Sequence, residues 1–221
     1  MQFEKYSGLD LFKIKRKTKS SFNNEVQTCE FPFDLDFIIA KKQMGLSCFN
    51  GPGIYSVTYK KNVIYIGSYS PKEKGNIIVD RWKKHIMTMT NRGYRIGFSA
   101  KTKRAKIPSK FKLYFERDCK FRYSDTGTVT TLERLNFAET HEYDFEKKSI
   151  NQSIISEFEF FYMRLHGNKI FSSEPNLKDL ENRLIMLFRP KCNYLKNDIG
   201  MCVSEVKIKL IENKINEFLR K

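Results

Sequence analysis

The sequence lacks any apolar run long enough to span a bilayer, and its first residues mix charged and apolar side chains without the apolar core of a signal peptide. It also lacks Cys-x-x-Cys pairs, because its five cysteines are scattered, which argues against a zinc site or a disulfide framework. No internal repeat or Pro/Gly-rich linker divides the 221 residues. These absences predict a cytoplasmic, intracellular protein without a membrane partner.

Acidic residues are scarce relative to basic ones. Forty-one Lys and Arg against 25 Asp and Glu leave a formal charge of +16, and this favours a polyanionic partner, usually nucleic acid and less often an anionic membrane surface. From Arg81 to Lys112, eleven residues are basic and none is acidic, which is typical either of a solvated surface or of a strip that faces phosphates. We favour the second interpretation, and the candidate DNA-binding residues are Lys83, Lys84, Arg92, Arg95, Lys101, Lys103, Arg104 and Lys106.

A β-hairpin is predicted near the end of the first quarter of the chain. Residues 53–59 and 63–67 are rich in β-branched and aromatic side chains, and the polar residues 60–62 between them suit a turn. Further strand candidates lie at 111–115 and 120–123.

Helices are predicted where apolar residues recur at helical spacing, over 77–90, 154–165, 177–188 and 204–221. Asn176 is interpreted as the N-cap of the third of these helices, and Pro190 as its stop. An antiparallel hairpin followed by helices indicates the α+β class.

Three features of the sequence suggest chemistry. Tyr55 and Tyr65 come close together if the hairpin forms, although a strand tyrosine is more often a packing residue. Arg81 and His85 are four residues apart on one helix and share a face, which a solvated basic face would also explain. Glu181 lies within an apolar helical stripe, where a carboxylate requires either an ion-pair partner or a metal ion.

The order of these residues resembles the GIY-YIG nuclease superfamily. The resemblance rests on Gly53-Ile54-Tyr55, on Tyr65-Ile66-Gly67, on Arg81 and His85, and on a closing block from Leu180 to Asn193 that contains Glu181. It implies a small three-stranded antiparallel sheet flanked by helices.

The resemblance also implies an organisation. We expect an N-terminal extension over 1–50 that can contact DNA, and a nuclease domain over 51–221 that ends in the helix 204–221. His85 and Glu181 are 96 residues apart, wider than in compact members, which predicts a large insertion at about 91–175. Which segment supplies the third strand is left open.

The resemblance implies a DNA endonuclease that hydrolyses phosphodiester bonds with Mg²⁺, for which Mn²⁺ can substitute. In that family the first-triplet tyrosine is the favoured base, so Tyr55 would deprotonate the water, assisted by His85, and Tyr65 would position water or phosphate. Arg81 would bind phosphoryl oxygens, and Glu181 would bind the metal ion.

Asn193 would brace this catalytic site or touch the phosphate. Only 28 residues follow it, which favours a stand-alone restriction or defence nuclease that acts on double-stranded DNA, with homodimerisation as a family expectation. The alternatives are a repair, branched-DNA or RNA nuclease, and a catalytically inactive nucleic-acid-binding protein with the same fold.

Overall fold

The computed structural model describes residues 2–16, 35–40, 47–70, 75–90, 96–98, 128–141, 144–145, 153–165, 174–193 and 207–219. The chain divides into two compact units. The first contains residues 1–12, 39–82 and 155–221, and the second contains 13–38 and 83–154.

The first unit is built on a four-stranded antiparallel sheet. Its strands are β1 (Glu4–Ser7), β4 (Gly53–Tyr59), β5 (Asn62–Tyr69) and β8 (Phe158–Arg164), in the order β1-β8-β4-β5. The predicted mixed α+β class with antiparallel pairing is confirmed. The predicted number of strands is wrong, because β1 from the N-terminal segment adds a fourth strand beside β8.

The hairpin of β4 and β5 forms where the sequence predicts it. Lys60 and Lys61 both have positive φ, 48° and 65°, as a two-residue turn of the mirror-image type requires for strands with right-handed twist. The pairing register shifts between Val57 and Thr58, so that Ile64 is an extra residue on β5. Tyr55 lies directly opposite Gly67, and this pairing determines the geometry described below.

Strand β8 occupies a segment for which a helix is predicted. Residues 154–165 contain only the short helix α4 (Ser153–Ser156) before β8 begins at Phe158. β1 and β4 pair with the two edges of β8, whereas its faces are buried by the core that two helices form with the sheet on one side and by aromatic side chains such as Trp82 on the other, so its sequence does not alternate between apolar and polar residues. A short apolar run of this kind cannot be distinguished from a buried helix by periodicity. The third strand of the sheet therefore lies within the predicted insertion 91–175.

Two helices cover one face of this sheet. They are α5 (Glu174–Phe188) and α6 (Ile208–Leu219), and their apolar residues form one core with that face of the sheet, namely Leu177, Leu180, Leu184, Ile211 and Ile215 against Ile54, Ile66 and Met163. Helix α5 begins before Asn176, which is therefore inside the helix and is not its N-cap. Pro175 is tolerated because the first turn of a helix needs no backbone donor there.

Aromatic side chains cover the opposite face. The short helix α1 (Gly8–Leu11), a 3₁₀ turn (Ser47–Phe49) and a π-helical segment (Ile78–Trp82) belong to the same unit. Trp82 is fully buried, and its ring lies 5.1 Å from that of Phe160 and 5.7 Å from that of Tyr6, centroid to centroid. This packing fixes the π-helical segment against the sheet.

The second unit contains shorter elements: β2 (Phe12–Arg16), which begins at its boundary, β3 (Leu35–Ile39), α2 (Lys83–Met89), β6 (Ile96–Phe98), β7 (Thr128–Thr130) and α3 (Leu132–Thr140). β2 pairs with β3, and β6 pairs in parallel with β7. The strand candidates at 111–115 and 120–123 lie outside the described residues. Within the described ranges, no helix has both the length and the apolar character needed to cross a membrane.

Candidate active site at the edge strand β5

The two motif tyrosines lie together over a glycine. The rings of Tyr55 and Tyr65 are stacked, with centroids 5.9 Å apart and an interplanar angle of 27°. The Tyr55 ring crosses Gly67 so closely that a Cβ added at Gly67 would lie 2.4 Å from Tyr55 Cζ and 2.5 Å from the phenol oxygen. The predicted proximity of the two tyrosines is confirmed. Glycine is required at position 67 because the phenol occupies the space of a side chain.

Glu181 is buried beside Ser68, the residue that follows Gly67 on β5. The carboxylate belongs to a residue only 5% exposed, and its Oε2 accepts a hydrogen bond from the Ser68 hydroxyl at 2.5 Å. The ammonium of Lys178, one turn earlier on α5, donates to the same oxygen. Lys178 is therefore an ion-pair partner for the carboxylate in the apolar stripe of the helix.

The phenols and Glu181 lie on opposite faces of the sheet. Successive side chains of a strand point to opposite faces, so Tyr65 and Gly67 share the face of Tyr55, whereas Ser68 points to the face covered by α5. Glu181 bonds to Ser68 and therefore lies on the α5 face. The roles that the resemblance implies require Tyr55, Tyr65 and Glu181 to converge on one phosphate and one metal ion. The structure does not bring them to one point: the phenols and Glu181 flank residues 65–68 of the edge strand β5 on its two faces.

Asn193 braces the outer edge of β5. Its Oδ1 accepts from the Ile66 N–H at 2.9 Å, and its Nδ2 donates to the Ile66 carbonyl at 2.7 Å. The Cys192 N–H donates to the Ile64 carbonyl at 2.9 Å. The side chain of Asn193 thus replaces a neighbouring strand along β5. Of the two roles predicted for Asn193, this geometry supports bracing, since both ends of its amide are occupied.

Replacing Asn193 with alanine is expected to lower the free energy of unfolding by about 2–4 kcal/mol, because it removes two hydrogen bonds and leaves the Ile66 backbone groups without them. Urea unfolding followed by circular dichroism measures this change. Asn182→Ala, an exposed position on α5, is the matched control and should change stability little. Equal stability of the two variants would contradict the bracing role.

Arg81 lies on the face of the tyrosines. It is exposed and belongs to the π-helical segment, next to the buried Trp82. The Tyr69 hydroxyl donates to Asp80 Oδ2 at 2.5 Å, and the Asn76 N–H donates to the same oxygen at 3.2 Å, which ties the start of the segment to the end of β5. Burial raises the pKa of Tyr69, the hydrogen bond to Asp80 raises it further, and the charge of Arg81 acts in the opposite direction.

His85 lies in the second unit. It is buried on α2, 4% exposed, and the Thr88 hydroxyl donates to its carbonyl at 3.1 Å. The Arg134 guanidinium donates to the Thr88 hydroxyl at 3.2 Å, which joins α3 to α2. Within the first unit, the phenols of Tyr55 and Tyr65 lie on one face of the sheet at β5, Glu181 lies on the other and Asn193 at its outer edge. Arg81 belongs to the same unit, and His85 belongs to the second.

The basic strip falls largely outside the described residues. Lys83 and Lys84 lie on α2, the first partly exposed and the second exposed. The other candidate contacts, Arg92, Arg95, Lys101, Lys103, Arg104 and Lys106, and much of the extension 1–50, lie outside the described ranges. Their assignment to DNA binding stays a prediction from charge.

Four polar residues near the site were not identified from the sequence. Ser68 follows the second triplet directly, and Lys178 precedes Glu181 by three residues, a spacing at which oppositely charged residues meet on a helix. The pairing of Lys178 with Glu181 could therefore have been predicted from the sequence. The bond between Tyr69 and Asp80 joins two elements across a loop, and no local pattern indicates it.

Comparison of the chain with protein-family models, with curated proteins and with solved structures finds no match.

Proposed function

We propose that the protein is a Mg²⁺-dependent endonuclease that hydrolyses DNA phosphodiester bonds along the edge strand β5. One observation carries this proposal: a stacked phenol pair and a buried carboxylate flank the same segment of the edge strand, residues 65–68 of β5, so a phosphate that reaches both must bind at this edge. The formal charge of +16 favours a polyanionic substrate. The order of the motifs resembles that of GIY-YIG nucleases. Among the members of that superfamily, we favour a restriction or defence enzyme.

The oxygen donors at Glu181 suit a hard divalent cation. Its carboxylate and the Ser68 hydroxyl lie within hydrogen-bond distance of each other, and Mg²⁺ in such sites is held by one or two carboxylates together with waters and substrate oxygens. No group of three or more metal-binding side chains occurs in the described part of the chain, so a carboxylate site of this sparse kind is the one to test. When bound, Mg²⁺ would supply charge neutralisation at the phosphate.

The residues on the other face of β5 would act on water and phosphate. Hydrolysis forms one P–O bond from water and breaks the ester bond to the leaving oxygen, and the water must lose a proton. Tyr55 is only 2% exposed, whereas Tyr65 is partly exposed, so the structure favours Tyr65 over Tyr55 as the phenol that reaches water. A phenol accepts a proton only after losing its own, which nearby positive charge favours.

Arg81 is the candidate for binding the phosphoryl oxygens. Arg81 is exposed and belongs to the segment whose Trp82 packs on the aromatic face of the sheet, and its planar array of donors matches phosphate geometry. Asn193 would keep residues 65–68 in place. The role of His85 rests on its place in the motif order alone.

One observation favours a second candidate function. The ion pair with Lys178 satisfies Glu181 without any metal ion, as expected of a catalytically inactive nucleic-acid-binding protein with the same fold. Such a protein would bind DNA with strong salt dependence and would not cut it.

Incubation of plasmid and phage DNA with the purified protein tests the proposal. We expect discrete fragments or nicked circles with Mg²⁺ or Mn²⁺, and none with excess EDTA. Parallel duplex, branched, single-stranded DNA and RNA substrates separate a restriction or defence enzyme from a repair or RNA nuclease. Salt-sensitive DNA binding without cleavage of any substrate would favour the inactive binding protein.

A further inference from the structure

The two side chains of the ion pair between Lys178 and Glu181 differ greatly in exposure. The side chain of Lys178 is 59% exposed, whereas that of Glu181 is 6% exposed. Both residues lie on α5, and the ammonium donates to the oxygen that also accepts from Ser68. The exposed ammonium of Lys178 therefore compensates the charge of the buried Glu181 carboxylate.

The two partners differ in what each needs. A buried carboxylate is costly unless a positive charge or hydrogen bonds compensate it. The ammonium has no such requirement, because its exposed position leaves it hydrated, and a long side chain gains freedom when it is released. A competing cation can therefore take the place of the ammonium beside Glu181, and only the Lys178 side chain has to move.

We propose that Lys178 is a built-in counter-ion that competes with a divalent cation for Glu181. It compensates the carboxylate when no metal ion is bound and lowers the apparent affinity of the site for the ion. This inference rests on the metal site of the proposed function. It adds a residue that regulates the occupancy of that site and that the motif resemblance does not include.

The competition has a measurable consequence. In Lys178→Met the side chain keeps most of its length and loses its charge, so binding of Mn²⁺ no longer has to displace an ammonium. We expect the apparent affinity to rise roughly 5-fold, in line with the upper range for partly exposed ion pairs.

Mn²⁺ binding to the full chain can be measured without any nuclease assay. Titration followed by the electron paramagnetic resonance signal of free Mn²⁺ gives the affinity for wild type, Lys178→Met, Lys178→Gln, Arg183→Met and Glu181→Gln. Arg183→Met is the matched control, because Arg183 lies on the same helix, pairs with exposed Asp179 and contributes the same charge. The two Lys178 variants guard against an effect peculiar to one replacement.

The outcomes distinguish the inference from the function on which it rests. Tighter binding by both Lys178 variants, unchanged binding by Arg183→Met and weaker binding by Glu181→Gln would support the competition. Unchanged or weaker binding by the Lys178 variants, with Glu181→Gln still impaired, would overturn the competition and leave the metal site standing. Equal binding by wild type and Glu181→Gln would overturn both.

Discussion

Replacing Glu181 with glutamine is expected to reduce Mg²⁺-dependent DNA cleavage by on the order of 10²–10³-fold or more, an effect typical of removing an electrostatic element of a catalytic site. Glutamine is nearly isosteric and still accepts the hydrogen bond from Ser68, but it carries no charge to hold a divalent cation. Initial rates of plasmid nicking, measured over a Mg²⁺ series, give the size of the loss.

The control for this variant lies two residues away on the same helix. Asp179→Asn also removes one carboxylate charge from α5, but Asp179 is exposed and pairs with Arg183. It should cut DNA at close to the wild-type rate. Far-UV circular dichroism of both variants should match wild type. Comparable cleavage by Glu181→Gln and Asp179→Asn would remove Glu181 from the reaction.

Replacing Gly67 with alanine is expected to destabilise the protein by about 1–3 kcal/mol, the usual cost of forcing an extra methyl group into a packed site. The new Cβ would lie 2.4 Å from Tyr55 Cζ, so the phenol must move. The stacked partner Tyr65 restricts that movement. Cleavage should fall together with stability, because the displaced ring belongs to the proposed site.

A double-mutant cycle identifies the cause of this cost. In a Tyr55→Ala background the space above Gly67 is empty, so Gly67→Ala should cost much less than in wild type, giving a coupling energy of about 1–3 kcal/mol. Urea unfolding of the four proteins measures it. Additive effects would show that Gly67 is required for another reason, such as backbone conformation.

Much of the hairpin could be predicted from the sequence because its determinants are local. β-Branched and aromatic residues flank a polar turn, and cross-strand pairing follows from the turn once its length is known. The turn alone would place Tyr55 opposite Ile66, and the bulge at Ile64, which was not predicted, shifts the pairing so that Tyr55 lies opposite Gly67. Helix α5 was predicted for the same reason, from its apolar spacing and from Pro190 beyond its end.

Other parts of the fold depend on partners that are distant in sequence. Whether residues 158–164 form a strand or a helix depends on β1 and β4, which pair with the two edges of β8, and on the remote segments that cover its two faces. The fourth strand, β1, is stabilised by pairing with β8, about 155 residues later in the chain. No local propensity contains this information, because the free energy comes from burial and ladder hydrogen bonds between remote segments.

The sequence by itself determined the chemical inventory of the candidate site: two phenols, a guanidinium, a carboxylate on an apolar helix face and an asparagine after that helix. Only the tertiary structure decided how they are arranged. It assigned Asn193 to the backbone of Ile66, gave Glu181 its neighbours Ser68 and Lys178, and placed Glu181 across β5 from the phenols. The physical reason is that residue type sets what a group can do, whereas the alternation of a strand and the packing of helices on its two faces set where that group lies.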